Sequence, residues 1–557
     1  MLKIKCSYST LLIVLIVLAL FFTRFFNLSW GLPYPFHPDE RNMVIAIQQL
    51  NCSNILDLRD CLNPHFFAYG QFPLYLGYLM AKLFHAIRLN FFAPITSLDA
   101  TLALRALSAI FSTGTVWLLF KILERFYRGN KTIVLFSLLI FVFSPVLIQS
   151  AHFGTTESML MFFYTALTYL SLLLSQSKIS EKRFLFLSSL ILGFSIATKI
   201  SSAIFILPLS LIYISHVKDK KTLLKKIFGL MSIGVYSVFL SLIFSPHNLI
   251  SIKDFLSSIN YEAAVARGMD VFYTRSFVDT IPVLYQFTHV FPYSLGLPVL
   301  LLFILGFLFL PWRRPYNLFR LNFLIYFLPT AFLYAKWTRF MAPVFPIMLL
   351  VAVLYIVQLY EKMKFSKVVV YLLIFISIIP GIAFMAIYLK PDVRIQASKW
   401  IAGNIPPNSY LLSETANVVD IPTPLESKGK PYILNSFDFY HLDESKSAQE
   451  DLKKAIGRAD YILVPSRRIY KNHTCLNPDQ ILGESGKHCD ELWKEYPAVN
   501  DYYEKLFSGK LGFVKVAEFS SYPEVILLGK SIIFSDEESE ETWTVFDHPV
   551  IRIYKRM

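Results

Sequence analysis

The stretch FPLYLGYLMAKLFHAI, residues 72–87, decides how the chain is threaded. It is apolar enough to be taken for a membrane span, yet it holds only 16 residues and is interrupted by Lys82 and His85. A spanning helix needs about 20 apolar residues. Elsewhere the chain offers eleven better candidates, near 8–27, 101–121, 133–151, 159–177, 184–198, 200–217, 227–245, 291–311, 319–335, 339–359 and 367–389. With the N-terminus in the cytoplasm, every strong basic cluster falls on the cytoplasmic side. These are Lys121, Arg125, Arg128 and Lys131, then Lys178, Lys182 and Arg183, then Lys218, Lys220, Lys221, Lys225 and Lys226. Arg313, Arg314 and Arg320 follow, and finally Lys362, Lys364 and Lys367. Cytoplasmic loops carry such an excess of Lys and Arg. Counting 72–87 as a span would invert every later loop, so it reads as an interfacial helix on the outer surface. The outer loops are then 28–100 and 246–290, and the last helix delivers the chain to the outside.

Composition supports this class. The chain has 557 residues, of which 55% are hydrophobic and 17% charged, with a mean hydropathy of +0.50; a soluble domain carries about 25% charged residues. Phe and Tyr, 51 and 31 residues, suit helices in lipid with rings at the interfaces. The net charge of +14 sits in short clusters between apolar runs, which is a topology signal rather than a nucleic-acid footprint. Lys3 and Lys5 precede the apolar run Leu11–Phe22, and no small-residue cleavage site follows, so the first helix is retained.

From about 391 the composition becomes mixed. YILV (461–464) and VIRIY (550–554) read as strands; SAQEDLKKAIG (447–457) and VNDYYEKLF (499–507) read as amphipathic helices. The chain thus divides into a membrane domain, 1–390, and an extracytoplasmic α/β domain, 391–557. Cys52 and Cys61 share the first outer loop and Cys475 and Cys489 share the α/β domain, while Cys6 is cytoplasmic. Two outer pairs fit disulfides in an oxidising exterior, against the alternative of four free buried thiols. The spacing is not that of a metal site.

HPDE, residues 37–40, places His37, Asp39 and Glu40 just beyond the first helix. Pro38 suits a first helical turn and acids suit a helix N-terminus, so a solvated helix start is one reading. Carboxylates this close to a membrane are costly without partners, and that favours chemistry. Charges that break the cytoplasmic pattern supply partners at outer helix ends: Arg24, Arg105, Lys199, Lys336 and Arg339, with Glu157 and His152 nearby. Singly each is explained by snorkelling; together they gather acids and bases at one membrane surface. Cations there suit a phosphate. A carboxylate suits deprotonation of a hydroxyl attacking an anomeric carbon, and the departing phosphate is a charge that cations stabilise.

In order along the chain, HPDE, YGQFPLYLGYL (69–79), LALRALSAIF (102–111), HFGTTESMLMFF (152–163), ATKISS (197–202) and KWTRFMAPVFP (336–346) resemble the GT-C superfamily of integral-membrane glycosyltransferases. The closest likeness is to the protein O-mannosyltransferase and lipid A aminoarabinose transferase group, glycosyltransferase family 39-like. The resemblance implies a GT-C fold with about eleven spans. It implies Asp39 as general base, Glu40 as a helper in substrate positioning and Glu157 as the second acid. Arg105 matches the family's arginine, and Lys336 and Arg339 are assigned to the lipid phosphate. The aminoarabinose enzymes have a Lys where this chain has Gln71, so Lys199 is the candidate to replace that contact. His37 is either an acceptor ligand or a loop residue, and His152 joins the substrate-binding set. The donor implied is a polyprenyl-phosphate sugar, transferred with inversion to a protein, glycolipid or wall-polymer acceptor outside the plasma membrane. No nucleic acid is implied. Asp39, Glu40 and Glu157 are a set that a divalent cation would accept, although no His-rich ligands accompany them. Tyr261, Glu262 and Arg267 in loop 246–290 are candidate lid contacts. The rival readings are a transporter or flippase, which would place its ionisable residues at span centres, and a scaffold working through its outer domain.

Overall fold

The computed structural model describes residues 8–557 except 53–55, 58, 91–92, 128–130, 216–219, 270, 363–366, 416–419, 424–425, 428–429 and 479–486. Lys3, Lys5, Cys6, Arg128, Lys218 and Lys364 lie outside the described residues. The first part is helical: α1 (Tyr8–Phe25), α2 (Pro38–Gln49), α3 (Phe72–Ile87), α4 (Ser97–Phe126), α5 (Lys131–Val142), α6 (Pro145–His152), α7 (Glu157–Ser175), α8 (Glu181–Thr198), α9 (Ile206–Ile214) and α10 (Lys220–Phe244). It continues through α11 (His247–Ile250), α12 (Ile252–Arg267), α13 (Phe291–Leu295), α14 (Leu297–Phe309), α15 (Arg314–Ala331), α16 (Phe345–Lys362) and α17 (Lys367–Leu389).

Among the described residues, each of the eleven apolar stretches falls mainly on helices. Among the described residues, five helices are long and apolar enough to cross a membrane, or up to seven if each bent pair is one span. The shortfall from eleven has local causes. Pro145 starts a new helix after a 51° bend between α5 and α6, and the chain turns 114° between α13 and α14. Gly296 makes that second turn at φ +82°, a conformation other residues rarely adopt. The start of α8 carries Glu181, Lys182 and Arg183, and α9 is short. Outward-facing Leu11, Leu15 and Leu18 on α1 and Phe228, Met231 and Val235 on α10 are exposed, the surface of helices embedded in lipid.

Helix α3 occupies the opening stretch end to end. Pro73 sits in its first turn, and Leu74, Gly77, Ala81 and His85 bury one face. A Cβ on Gly77 would meet Ile47 Cδ1 at 2.6 Å, so glycine lets α3 close on α2. His85 Nε2 lies 3.0 Å from Asp99 at the start of α4, while Leu79, Leu83 and Ile87 on the other face are exposed. One buried and one exposed apolar face suit a helix lying along a membrane surface.

The C-terminal region comprises α18 (Val393–Asn404), β1 (Tyr410–Glu414), β2 (Glu426–Ser427), β3 (Lys430–Pro431), β4 (Ile433–Phe437), α19 (Lys446–Arg458), β5 (Tyr461–Val464), α20 (Arg468–His473), α21 (Lys487–Glu495) and α22 (Pro497–Phe507). Then follow β6 (Phe513–Phe519), β7 (Glu524–Leu527), β8 (Lys530–Ile533), α23 (Glu541–Val545) and β9 (Ile551–Arg556). Its five-stranded sheet has the order β4-β1-β5-β9-β6, parallel among β4, β1 and β5 and antiparallel beyond. The four segments read as strands or amphipathic helices fall on β5, β9, α19 and α22. Cys52–Cys61 and Cys475–Cys489 are disulfide-bonded.

Buried polar ties hold this region on the helices. His548, fully buried, bonds Asp547 at 2.5 Å and Asp536 at 2.8 Å, and Asp547 also accepts from Tyr388 of α17 and Gln149 of α6. Arg394 pairs with Asp392, donates to Phe546 O at 2.9 Å and stacks over Phe36 at 3.7 Å. Thr338 N donates to Glu540 at 2.9 Å.

Candidate active site

The site is built on the start of α2. His37 is the N-cap, its Nδ1 accepting from Glu40 N at 3.5 Å, and Pro38 opens the helix. The next two residues then point different ways. Glu40 is 1% exposed and accepts two hydrogen bonds from Arg105, at 2.7 and 2.8 Å, plus the Gly154 N–H at 2.7 Å. Arg105 spends its remaining reach on the carbonyls of Leu28 and Trp30, at 2.8 and 2.7 Å. The pair therefore locks α2, α4, the loop after α6 and the exit from α1. Burial pushes the Glu40 carboxyl up, but Arg105 outweighs it and holds it below the usual range.

Asp39 turns toward a cavity of about 50 Å³ instead, lined also by His37, Glu157, Thr338 and Arg339. Arg339, at the helical turn before α16, forms an ion pair with Asp39. Burial raises the Asp39 carboxyl; Arg339, then His37 and a Tyr69 hydrogen bond, overcome that and hold it below its ordinary value. Arg339 stacks over Trp337 at 4.5 Å, and its Nε, like Thr338 Oγ1, is buried without a hydrogen-bond partner. Glu157 is the first residue of α7 and makes no ion pair among the described residues. Lys199, between α8 and the following turn, lies over Tyr69 and Phe340 at 5.0 and 5.8 Å. Burial lowers its pKa against the pull of Glu157 and Asp39. The cavity thus gathers two acids and a guanidinium, with an ammonium nearby.

The other sequence-nominated residues are engaged elsewhere. Arg24 is fully buried and donates to Ser112 and to the carbonyls of Phe141 and Val142. Gln71 joins α3 to Ser245, His247 and Asn248. His152 bonds the carbonyls of Ile148 and Phe26 and stacks on Tyr388 at 3.8 Å. Lys336 donates to Tyr334 O at 3.0 Å and does not line the cavity. Glu262 on α12 feels both Arg339 and Lys199, although burial raises its pKa; Tyr261 bonds Tyr273.

Residues that sequence reading passed over complete the site. Tyr69 stands inside the quoted YGQFP motif without having been singled out. Thr542, Trp543 and Phe546 come from the C-terminal region and form part of the cavity wall; the Phe546 ring is 4.4 Å from that of His37. No local signal links positions so far apart in the chain. Among the described residues, no group of three or more His, Cys, Asp or Glu side chains is placed to hold a metal ion. Asp39 and Glu40 are each committed to an arginine, so a divalent cation would first have to displace one.

Residues 83–248 match the family described as dolichyl-phosphate-mannose-protein mannosyltransferase, and the resemblance to GT-C superfamily glycosyltransferases is borne out over this segment. Among solved structures, the chain is similar to apo ArnT from Cupriavidus metallidurans, at 13% identity and TM-score 0.45, covering 83% of this chain and 93% of that one. ArnT bound to undecaprenyl phosphate gives 12% identity and TM-score 0.43, covering 84% and 94%. The apo oligosaccharyltransferase of Archaeoglobus fulgidus gives 12% and 0.49, covering 85% and 71%. At such identities no residue role transfers. No curated protein matches.

Proposed function

We propose that this protein is a membrane glycosyltransferase that moves a sugar from a polyprenyl-phosphate donor to an acceptor hydroxyl on the outer face of the membrane, with inversion. The observation that carries the reading is the Asp39–Arg339 pair in one cavity with Glu157, Lys199 close by; the mannosyltransferase match over 83–248 supports it. In the resting pair the two charges neutralise each other. A donor phosphate competes for Arg339, whose unpartnered Nε is a spare donor, and for Lys199. Drawing Arg339 away removes what holds the Asp39 pKa down, so phosphate binding itself makes Asp39 a better base. The acceptor oxygen then bonds the anomeric carbon as its proton passes to Asp39. The bond from that carbon to the phosphate oxygen breaks, and the phosphate leaves with the electron pair beside the cations. Glu40, locked on Arg105, supports this geometry without touching substrate.

Glu157, on the same cavity and without an ion pair among the described residues, is the second candidate base. Mass spectrometry of glycoconjugates from a deletion strain, complemented in turn with wild type, Asp39→Asn and Glu157→Gln, separates the two. The missing glycan returns with wild type and stays absent with Asp39→Asn. Full restoration by Asp39→Asn moves the base to Glu157, and an unchanged glycan profile on deletion refutes the transferase reading.

A further inference from the structure

Strands β7 and β8 form a ribbon of their own, apart from the five-stranded sheet. Glu524 pairs with Ile533, Val525 with Ile532, Ile526 with Ser531 and Leu527 with Lys530. Side chains alternate across a strand, so Val525, Leu527 and Ile532 stand on one face and Ile526 and Ile533 on the other. Ile526, Leu527, Ile532 and Ile533 are 46–69% exposed. Both faces are thus apolar and open, and Lys530 is the one charge between Val525 and Phe534. An antiparallel pair in water wets a polar face and buries the other, and a lone two-stranded ribbon is marginal there. The turn points the same way. Leu528 and Gly529 hold φ of +51° and +77°, the left-handed pair of a two-residue hairpin turn. Asn, Asp or Gly usually takes the first of these positions, because a larger side chain is strained in it. Here a leucine takes it at 96% exposure, with no burial in the protein to offset the strain.

What covers the ribbon follows from where it is rooted. Lys390, directly after α17, forms an ion pair with Glu524, and Phe534 N donates to Pro523 O at 2.8 Å to close the base. Pro523 and Phe534 share a cleft with Pro380 and Phe384 of α17, so the base lies beside the final turns of that helix rather than beyond its end. Helix α17 is long and apolar enough to cross a membrane, and its Leu372, Phe375, Ile382 and Leu389 are exposed. The apolar ribbon therefore adjoins a lipid-facing helix. We propose that the β7–β8 ribbon is an interfacial membrane anchor, with Leu528 and its apolar neighbours sunk at the boundary between headgroups and acyl chains. A folded partner would cover one face of a ribbon, whereas lipid surrounds both. The backbone sets the depth. Each outer edge of a two-stranded ribbon carries N–H and C=O groups outside the ladder, which hydrocarbon would leave unsatisfied and the hydrated headgroup layer does not. Lys530, beside the turn, can lay its stem along the acyl boundary and its ammonium among headgroup phosphates. The chain runs on from β8 to Trp543 and Phe546, so the anchor also ties that wall of the charged cavity to the bilayer. The anchor is independent of the transfer reaction proposed above.

The test uses the full-length chain carrying Cys6→Ser, one copy per phosphatidylcholine nanodisc, with a nitroxide attached at Leu528→Cys or, separately, at Ile526→Cys. A nitroxide at Lys454→Cys, exposed on α19 of the C-terminal region, is the control. Relaxation of each label by oxygen, which concentrates in lipid, is compared with relaxation by a water-soluble nickel chelate. An interfacial helix sits about 5–10 Å into the boundary, and at such a depth the oxygen-to-nickel ratio at 528 and 526 should exceed that at 454 by about fivefold or more. Ratios equal to that of the control place the ribbon in water and overturn the proposal. Labels shielded from both agents identify a protein cover and overturn it as well.

Discussion

Replacing Arg105 by Met removes a guanidinium that holds three partners and leaves Glu40 buried and charged. Glu40 keeps only the Gly154 N–H, and the carbonyls of Leu28 and Trp30 lose their donor. Breaking a buried ion pair from one side costs about 3–5 kcal/mol, because the surviving charge is uncompensated. Glu40→Gln alone should cost a similar amount by stranding Arg105. The double variant carries no orphaned charge, so its cost should fall well short of the sum, with a coupling of about 2 kcal/mol or more. Unfolding titrations with SDS in mixed micelles, followed by tryptophan fluorescence, give the three differences. Single variants within about 1 kcal/mol of wild type, or a double equal to the sum of the singles, would refute the latch. A transferase defect in Glu40→Gln at full stability would return Glu40 to the chemistry.

Two further outcomes concern pH. Glu414 at the end of β1 is buried with one oxygen unpartnered, and burial raises its pKa to about 8 from 4.5. A raised folded pKa means its favourable contribution is complete below about pH 4.5 and is lost as pH rises through 8; at about 1.4 kcal/mol per unit that is roughly 5 kcal/mol. Glu414→Gln should flatten the stability profile between those limits, and an unchanged profile refutes the assignment. His548 is likewise raised, to about 10, its two aspartates overcoming burial, so its contribution is full below 6.5 and disappears above 10. His548→Gln removes the cation between two buried aspartates, of which Asp547 keeps Tyr388 and Gln149 as donors, and at pH 7 limited proteolysis should release the C-terminal region in the variant but not in wild type.

The helices were legible because their signals are local. Pro73 with a buried stripe at Leu74, Gly77 and Ala81 delimits α3, and the four-residue apolar run YILV, three of its residues aromatic or β-branched, becomes β5. The breaks were not. Pro145 and Gly296 sit inside apolar runs that read as single spans, and only the packing of Gly296 on Pro380 shows why the chain must turn. The site was half legible for a similar reason. An outer-end arginine has the same sequence signature whether it awaits a phosphate, as Arg339 can, or is consumed by a carboxylate and two carbonyls, as Arg105 is. Gln71 and His152 likewise have packing partners that no local signal announces. Trp543 and Phe546 were invisible because they arrive through tertiary contact alone.

The size of the charged cavity sets a condition on turnover. About 50 Å³ is room for a few water molecules. A glycosyl ring needs more room than that, so the proposed reaction requires the cavity to widen. The Trp543 wall is poorly suited to move, tied as it is through Asp547 and His548 to α6 and α17. Helix α12 is differently placed. Val265 is its one buried residue, yet Glu262 faces the same cations as the cavity acids. Low burial makes a segment cheap to displace, so α12 is the element expected to move when the cavity of the proposed transferase widens.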